Sequence, residues 1–182
     1  KVGICKGIAM AGAAFFDIII EGKGSHAAMP HQSKDPIVIA SNLISQLQNI
    51  VSRNLPPLES VVLSVTQIHS GSAYNIIPEN CTINGTIRYF SEDSYGIVEN
   101  RFKKICQGFE IANDISIELK IRKVFDVLVN DFELSDSYMD AAEKIVGSTF
   151  ITRNESPATG SEDFADMLKH TKGAYCRIGH SG

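Results

Sequence analysis

The sequence predicts an α/β protein of the α+β type, built on a ferredoxin-like sandwich with the element order strand, helix, strand, strand, helix, strand. The first observation behind this prediction is that β-rich runs alternate with two long segments whose apolar residues recur at helical spacing. The second is that the pattern changes after Lys123, leaving roughly 60 residues, too few for a well-buried domain of their own. We therefore expect one complete sandwich and a segment that belongs to a larger structure.

The first predicted strand and the first predicted helix flank a loop that contains two histidines. The run FFDIIIEG (15–22) is β-branched and aromatic and ends in glycine, which is typical of a strand. Asp35 followed by Pro36 predicts an N-cap with proline at the first helical position, so a helix is expected over 36–53. Its apolar positions at helical spacing are Ala40, Leu43, Ile44, Leu47 and Val51.

The next two strands are predicted to form an antiparallel pair. The β-rich run from Val61 to Ile68 is followed by the turn HSGSAYN and then by the run IIPENCTINGTIRYF. In the second run the side chains alternate between two faces. The apolar face carries Cys81, Ile83, Gly85, Ile87 and Tyr89, and the polar face carries Thr82, Asn84, Thr86 and Arg88. We expect Arg88 to point from an open side of the sheet.

The remaining elements are predicted from the same two patterns, helical spacing of apolar residues and alternation along a strand. Ser91 offers an N-cap for a second long helix, and the alternating run ISIELKIR (115–122) predicts a half-exposed strand. The apolar positions of that helix are Val98, Phe102, Ile105, Phe109 and Ala112. After Lys123 the pattern predicts a helix through Leu134, Tyr138, Ala141 and Ile145, a short strand at 148–152, a helix at 162–169 and a strand at 174–178.

Composition and charge argue against several classes of function. With 43% hydrophobic residues, 21% charged residues and a formal charge of −4, the chain has no basic footprint for nucleic acid. No apolar run reaches the roughly 18 residues that cross a bilayer, and the N-terminus lacks the pattern of a secretory signal. We expect a cytoplasmic protein with no nucleic-acid or membrane partner. The cysteines lack metal-type spacing and are expected to be reduced and structural: Cys5, Cys81, Cys106 and Cys176.

Three side chains are candidates for a functional site, and each has an ordinary alternative. His26 lies in a glycine-rich loop after a strand, where an imidazole could exchange a proton or stabilise a negative charge; a solvated loop histidine is the alternative. Arg88 could clamp a carboxylate through two parallel hydrogen bonds, although arginines on exposed strands are common. Asn75 lies in the turn between paired strands, where asparagine is usually a turn residue.

The segment TGSEDF (159–164) is explained by helix capping. Ser161 is the N-cap candidate, and Glu162 and Asp163 would then lie in the first helical turn. Metal ligation is the weaker interpretation, because the segment has no histidine at a suitable spacing. His31, after Pro30, is expected to lie in the approach to the first helix. No role is assigned to His69, His170 and His180.

Taken together, five segments resemble the two-metal amidohydrolases, the family that includes hippurate hydrolase, aminoacylases, auxin-conjugate hydrolases and related carboxypeptidases. In chain order they are DIIIEGKGSHAAMPHQSKDPI, LQNIVSR, SAYNIIPENCTINGTIR, VND (129–131) and GSEDFADML with GAYCRIG. In that family a ferredoxin-like lid, which carries the dimer contact, is inserted into a zinc-peptidase-like α/β catalytic domain. The resemblance implies that residues 14–123 form the lid and that residues 1–13 and 124–182 are parts of the catalytic domain.

The resemblance also implies roles for the candidate residues. His26 matches a lid histidine that, in the homodimer, reaches into the partner's active site and stabilises the oxyanion formed at the amide carbonyl. Asn75 and Arg88 match lid positions that hold the substrate, an N-acyl amino acid, with Arg88 on its carboxylate. Such enzymes use two divalent metal ions (Zn, Mn or Co). The metal-binding run His-x-Cys-Gly-His-Asp is missing here, so we expect this chain alone to bind no metal and to be inactive.

Two alternatives remain open at this stage. The chain opens on KVGICKG without a starting methionine and stops at RIGHSG, as though cut from a longer protein. The missing metal-binding run is equally compatible with a non-catalytic ferredoxin-like module for dimerisation or small-ligand binding. A truncated enzyme whose catalytic part packs poorly is the other alternative.

Overall fold

The computed structural model describes residues 1–179 and divides them into two compact units. The sandwich unit comprises residues 14–87 and 92–123, and the second unit comprises residues 1–13, 88–91 and 124–179. The strands are β1 (Val2–Ile4), β2 (Gly7–Met10), β3 (Gly12–Glu21), β4 (Ser25–His26), β5 (Val61–Ser70), β6 (Ile76–Ile77), β7 (Asn80–Tyr89), β8 (Ser116–Phe125), β9 (Leu128–Asn130), β10 (Ile151–Thr152) and β11 (Cys176–Ile178). The helices are α1 (Pro36–Asn54), α2 (Glu92–Asn113), α3 (Phe132–Val146) and α4 (Phe164–Met167).

A four-stranded sheet with the order β5-β7-β3-β8 carries the sandwich. The hydroxyls of Ser70 and Thr66 on β5 donate to the carbonyls of Asn80 (2.6 Å) and Asn84 (3.4 Å) on β7. As the residue number increases along β5, the number of its hydrogen-bond partner on β7 decreases. The two strands are therefore antiparallel. Since β3 lies between β7 and β8 and the crossovers are helical, the arrangement is ferredoxin-like, and the predicted fold class is confirmed.

The predicted alternation along β7 is confirmed. Burial alternates from Cys81 to Tyr89, and the polar residues between them are half-buried. The apolar face is covered by α2, whose fully buried Phe102 packs on Phe16 of β3 with the ring centroids 4.9 Å apart. Gly85 is required at its place in β7, because a Cβ there would overlap the ring of Phe16 and the carbonyl of Ser64.

Helix α1 begins where its capping residues predict. The Asp35 carboxylate accepts hydrogen bonds from the amides of Ile37 (2.9 Å) and Val38 (3.4 Å), and Pro36 occupies the first turn. The buried face includes Ile39 and Ile50, whereas the predicted Ile44 and Val51 are only half-buried. The helix packs against α2 and β5. The row of buried residues along α1 is therefore shifted slightly from the predicted row.

The second unit is held together by contacts between segments remote in sequence. Strand β1 pairs in parallel with β10 and antiparallel with β11, and β2 pairs antiparallel with β9. The buried amide of Asn130 donates to the carbonyls of Cys5 (2.8 Å) and Tyr175 (3.0 Å), while its oxygen accepts from the Tyr175 amide (2.7 Å). The Asn130 side chain thus joins its own segment to the segments that contain Cys5 and Tyr175.

Several predictions for this unit need correction. Helix α3 exists, but Leu134, Tyr138 and Ile145 are exposed, because the helix buries Met139 against Val2 and Ile4 instead. The predicted strand at 148–152 is a 3-10 turn followed by the two-residue β10, and the predicted helix at 162–169 is reduced to α4. Strands β1, β2 and β9 were not predicted, since their stability comes from distant partners.

All four cysteines are free thiols. Burial raises the pKa of the Cys106 thiol to about 12, so this group stays protonated and behaves as a core residue.

None of the helices in the described residues combines the length and the apolar character needed to cross a bilayer.

Candidate functional site

The loop that carries His26 is fixed by backbone pairing with a segment about 50 residues further along the chain. Strands β4 and β6 pair antiparallel, with Ser25 opposite Ile77 and His26 opposite Ile76. Upstream, the amide of Gly22 donates to the carbonyl of Glu79 at 2.7 Å. Lys23 and Lys34 exchange two backbone hydrogen bonds of 3.0 Å each, closing the base of the loop.

The glycines of the loop serve the packing of the chain on itself. A Cβ at Gly22 would overlap the carbonyl of Lys34, and a Cβ at Gly24 would lie 2.8 Å from the carbonyl of Ile77. Close approach of the neighbouring backbone therefore explains both glycines.

The imidazole of His26 is exposed and held by its own turn. The Met29 amide donates to the His26 carbonyl at 2.8 Å, which closes a four-residue turn. Inside that turn the Ala28 amide donates to Nδ1 of the His26 ring at 3.1 Å. The Ser25 hydroxyl also donates to the Met29 carbonyl at 3.2 Å. The ring is therefore accessible to another molecule but is not free to adopt any orientation.

Asn75 lies beside this turn. Its carbonyl accepts a hydrogen bond from the Ala27 amide at 2.9 Å, and the residue is exposed. The structure thus brings two of the three predicted site residues together within the sandwich unit. Local sequence gave no signal for this proximity, because it depends on the β4–β6 pairing.

Exposed apolar residues lie near His26 in its own turn and on the paired segment. Ile76, the register partner of His26, is 56% exposed, and Tyr74 next to Asn75 is fully exposed. Directly opposed residues of an antiparallel pair project on the same face, so Ile76 presents an apolar surface beside the imidazole. Met29 in the same turn is 47% exposed. Such neighbours are typical of a surface that contacts another molecule.

Arg88 belongs to the second unit, where its guanidinium contacts Ser161. Nη1 of Arg88 donates to Oγ of Ser161 at 2.6 Å, and no acidic side chain among residues 1–179 forms an ion pair with Arg88. A guanidinium has five N–H donors and can bind a planar anion through two of them. This contact was missed at the sequence level, because capping was the stronger local explanation for Ser161.

The capping prediction for Ser161 is wrong. Helix α4 begins at Phe164 with Asp163 at its N-cap, and no side chain caps it. The neighbouring Glu162 accepts a hydrogen bond from the Tyr175 hydroxyl at 3.1 Å, and this contact raises the pKa of Tyr175. The segment TGSEDF therefore joins parts of the second unit rather than starting a long helix.

The residues described here do not form a metal centre. Within residues 1–179 there is no group of three or more His, Cys, Asp or Glu side chains placed to hold a metal ion. His180, to which no role was assigned, lies outside the described residues.

Comparisons with known proteins identify the family. Residues 8–111 match the model of the M20-type peptidase dimerisation domain. The chain is 38% identical to the N-acetyl-L-cysteine deacetylase of Bacillus subtilis, covering 100% of this chain and 43% of the relative. It is 37% identical to the hippurate hydrolase of Campylobacter jejuni, covering 96% and 46%.

A solved structure agrees with these matches. A dinuclear metal-binding peptidase of the M20 family from Bacillus subtilis superposes with a TM-score of 0.73 at 25% identity, covering 96% of this chain and 42% of that one. The chain thus spans less than half the length of these relatives. The resemblance found in the sequence motifs is confirmed. Because the family model matches more than half of the chain, the protein belongs to the M20-type peptidase dimerisation domain family.

Proposed function

We propose that this chain is part of a metal-dependent amidohydrolase that hydrolyses the amide bond of N-acyl amino acids. The observation that carries the proposal is an exposed histidine, held by a backbone-fixed turn, in a chain whose relatives are named as a deacetylase and a hippurate hydrolase. Residues 14–123 act as the lid, and residues 1–13 and 124–182 belong to the catalytic domain. The sandwich fold of the first segment supports this division.

Two divalent metal ions, Zn, Mn or Co, are part of the proposed whole enzyme. Support comes from the M20 relative described as dinuclear and metal-binding. No group of three or more candidate ligand side chains lies among residues 1–179, and we propose that the metal ligands lie in parts of the longer protein outside this chain. A cytoplasmic location is also part of the proposal and is supported by the four free thiols, which suit a reducing compartment.

His26 is proposed to donate a hydrogen bond to the oxyanion that forms when the amide carbonyl is attacked. A preorganised donor at such an oxygen stabilises the transition state by about 3 to 4 kcal/mol. The ring is exposed and has apolar exposed neighbours in Ile76 and Met29, which is the environment expected of a group that enters another subunit. Asn75, adjacent to the same turn, is proposed to contact the bound substrate.

The proposed homodimer forms through the edge of the sandwich sheet. Strand β5 lies at the edge of the sheet order and is ten residues long. An edge strand presents unpaired backbone groups to a second strand, and the exposed Val62 and Ile68 add apolar surface there. Ile37 and Val38 at the start of α1 are exposed as well. A second copy of the lid is the occupant that we propose for this edge.

Subunit complementation tests this proposal. Full-length protein carrying His26→Ala is co-expressed with full-length protein inactivated by a substitution in the catalytic part outside this chain, and the mixed dimers are assayed on N-acetyl and N-benzoyl amino acids. If His26 acts across the dimer, each mixed dimer has one complete site, and random pairing restores about a quarter of the wild-type activity. Inactive mixed dimers would exclude action in trans. No hydrolysis by the wild type would favour the non-catalytic module.

Arg88→Met is expected to raise KM for N-acyl amino acids by about 10- to 100-fold, because a charge-assisted bidentate contact to the substrate carboxylate is worth about 1.5 to 3 kcal/mol. The assay compares an N-acyl amino acid with the corresponding N-acyl amine, which lacks the carboxylate and should show little change. Arg122→Met is the control, since Arg122 pairs with Asp17 on the sheet. An equal loss on both substrates would contradict recognition of the carboxylate by Arg88.

A further inference from the structure

The turn formed by residues 26–29 determines which nitrogen of His26 carries the proton. The Ala28 amide lies 3.1 Å from Nδ1 of the ring, and the same turn is closed by the 2.8 Å hydrogen bond from the Met29 amide to the His26 carbonyl. The Ala27 amide, which precedes both, donates to the Asn75 carbonyl at 2.9 Å. Each of the three amides that follow His26 therefore has a defined acceptor.

A backbone amide can only donate, so the ring nitrogen that it contacts must offer a lone pair. A neutral imidazole carries one proton on its two nitrogens. When Nδ1 accepts the hydrogen bond from Ala28, that proton lies on Nε2. The hydrogen bond made by one ring nitrogen thus fixes the state of the other.

We infer that the backbone amide of Ala28 is a positioning group that holds neutral His26 in the Nε2–H tautomer with Nε2 as its outward donor. The ring then donates from Nε2 without first being protonated. It cannot act as a base through Nδ1 without breaking the contact to Ala28. The catalytic meaning of this tautomer depends on the proposed role of His26, but the tautomer itself does not.

The exposed His31 provides an internal comparison. It lies five residues further along the chain in a short 3-10 helix, and within residues 1–179 its ring makes no hydrogen bond. A ring of this kind exchanges between its two neutral tautomers in water. His26 should differ from it in spectroscopic signature although both rings are exposed.

Nitrogen NMR of the ¹⁵N-labelled 182-residue chain tests the inference directly. At a pH where the imidazoles are neutral, His26 should show an unprotonated Nδ1 and a protonated Nε2, whereas His31 shows averaged values. A ¹⁵N–¹⁵N coupling through the hydrogen bond should connect Nδ1 of His26 to the Ala28 amide. A protonated Nδ1, or averaged values equal to those of His31, would overturn the inference.

Substitutions at position 28 provide a second measurement. Ala28→Pro removes the N–H and should abolish the coupling and mix the tautomers, whereas Ala28→Gly keeps the N–H and should keep both signatures. In the full-length enzyme, Ala28→Pro should lower kcat by about 10- to 100-fold, the usual effect of losing a partner that orients a functional histidine, with a smaller change in KM. If proline disturbs the turn, the nitrogen NMR spectrum of the unmodified chain still tests which ring nitrogen of His26 is protonated.

The two hypotheses fail in different ways. If His26→Ala leaves turnover unchanged while the unmodified chain shows the Nε2–H tautomer, the proposed oxyanion role is wrong and the positioning by Ala28 stands. If His26→Ala abolishes turnover while Nδ1 is protonated, the role stands and the positioning is wrong.

Discussion

Replacing His26 by alanine in the proposed full-length amidohydrolase is expected to lower kcat by about 10²- to 10³-fold, equivalent to about 3 to 4 kcal/mol of lost transition-state stabilisation. KM should change little, because the hydrogen bond strengthens only as charge develops on the carbonyl oxygen. Steady-state kinetics on an N-acyl amino acid measure both parameters. Metal content and dimer mass, measured on the same preparation, should equal those of the wild type.

The matched control is His31→Ala. His31 is also exposed and lies in the same loop region, so a general disturbance of the loop would affect both variants. We expect wild-type kcat for His31→Ala. Equal losses of kcat in the two variants, or undiminished turnover in His26→Ala, would exclude the proposed role of His26.

Phe102→Ala is expected to lower the free energy of unfolding of the chain by about 3 to 5 kcal/mol, the typical cost of truncating a buried phenylalanine. Phe102 is fully buried on α2, and its ring packs on the equally buried Phe16. Truncation would leave a cavity between the helix and the sheet. Guanidinium chloride unfolding followed by circular dichroism measures the change.

Ile111→Ala on the same helix is the control for this experiment. Its side chain is 84% exposed, and truncation should change stability by less than about 0.5 kcal/mol. Similar losses of unfolding free energy in both variants would mean that the effect of Phe102→Ala does not arise from burial of its ring. A small loss in Phe102→Ala alone would show that the sandwich fills the space left by the ring.

The sandwich could be predicted from the sequence because its signals are local. Asp35 and Pro36 mark the start of α1, and the alternation from Cys81 to Tyr89 assigns both faces of β7. Such patterns depend only on residues a few positions apart. They define element types well, even where the buried stripe of α1 is offset by one position.

The second unit was predicted less well because remote partners decide its structure. Strands β1 and β2 lie in a stretch rich in glycine and alanine, which carries little β-signal, and they exist through pairing with β10, β11 and β9. Helix α3 shows the same dependence, since packing of Met139 on β1 overrides the stripe of Leu134, Tyr138 and Ile145.

The candidate site contains features that local sequence predicts and features that depend on remote partners. The residue types His26, Asn75 and Arg88 could be selected from the sequence, but the proximity of Asn75 to the His26 turn results from pairing between segments about 50 residues apart. Ser161 was assigned to capping because its neighbours resemble a helix start. Its contact with Arg88, 73 residues away in the chain, could not be inferred from local spacing.

The loop that carries His26 is attached mainly through main-chain hydrogen bonds and two closely packed glycines. Side chains at positions 29, 74 and 76 contribute little to that attachment, since they extend into solvent. Exchanging them should therefore leave the loop intact. Differences between natural sequences at these three positions would then alter the shape and polarity of the surface beside the imidazole, while the backbone that presents the ring keeps its conformation.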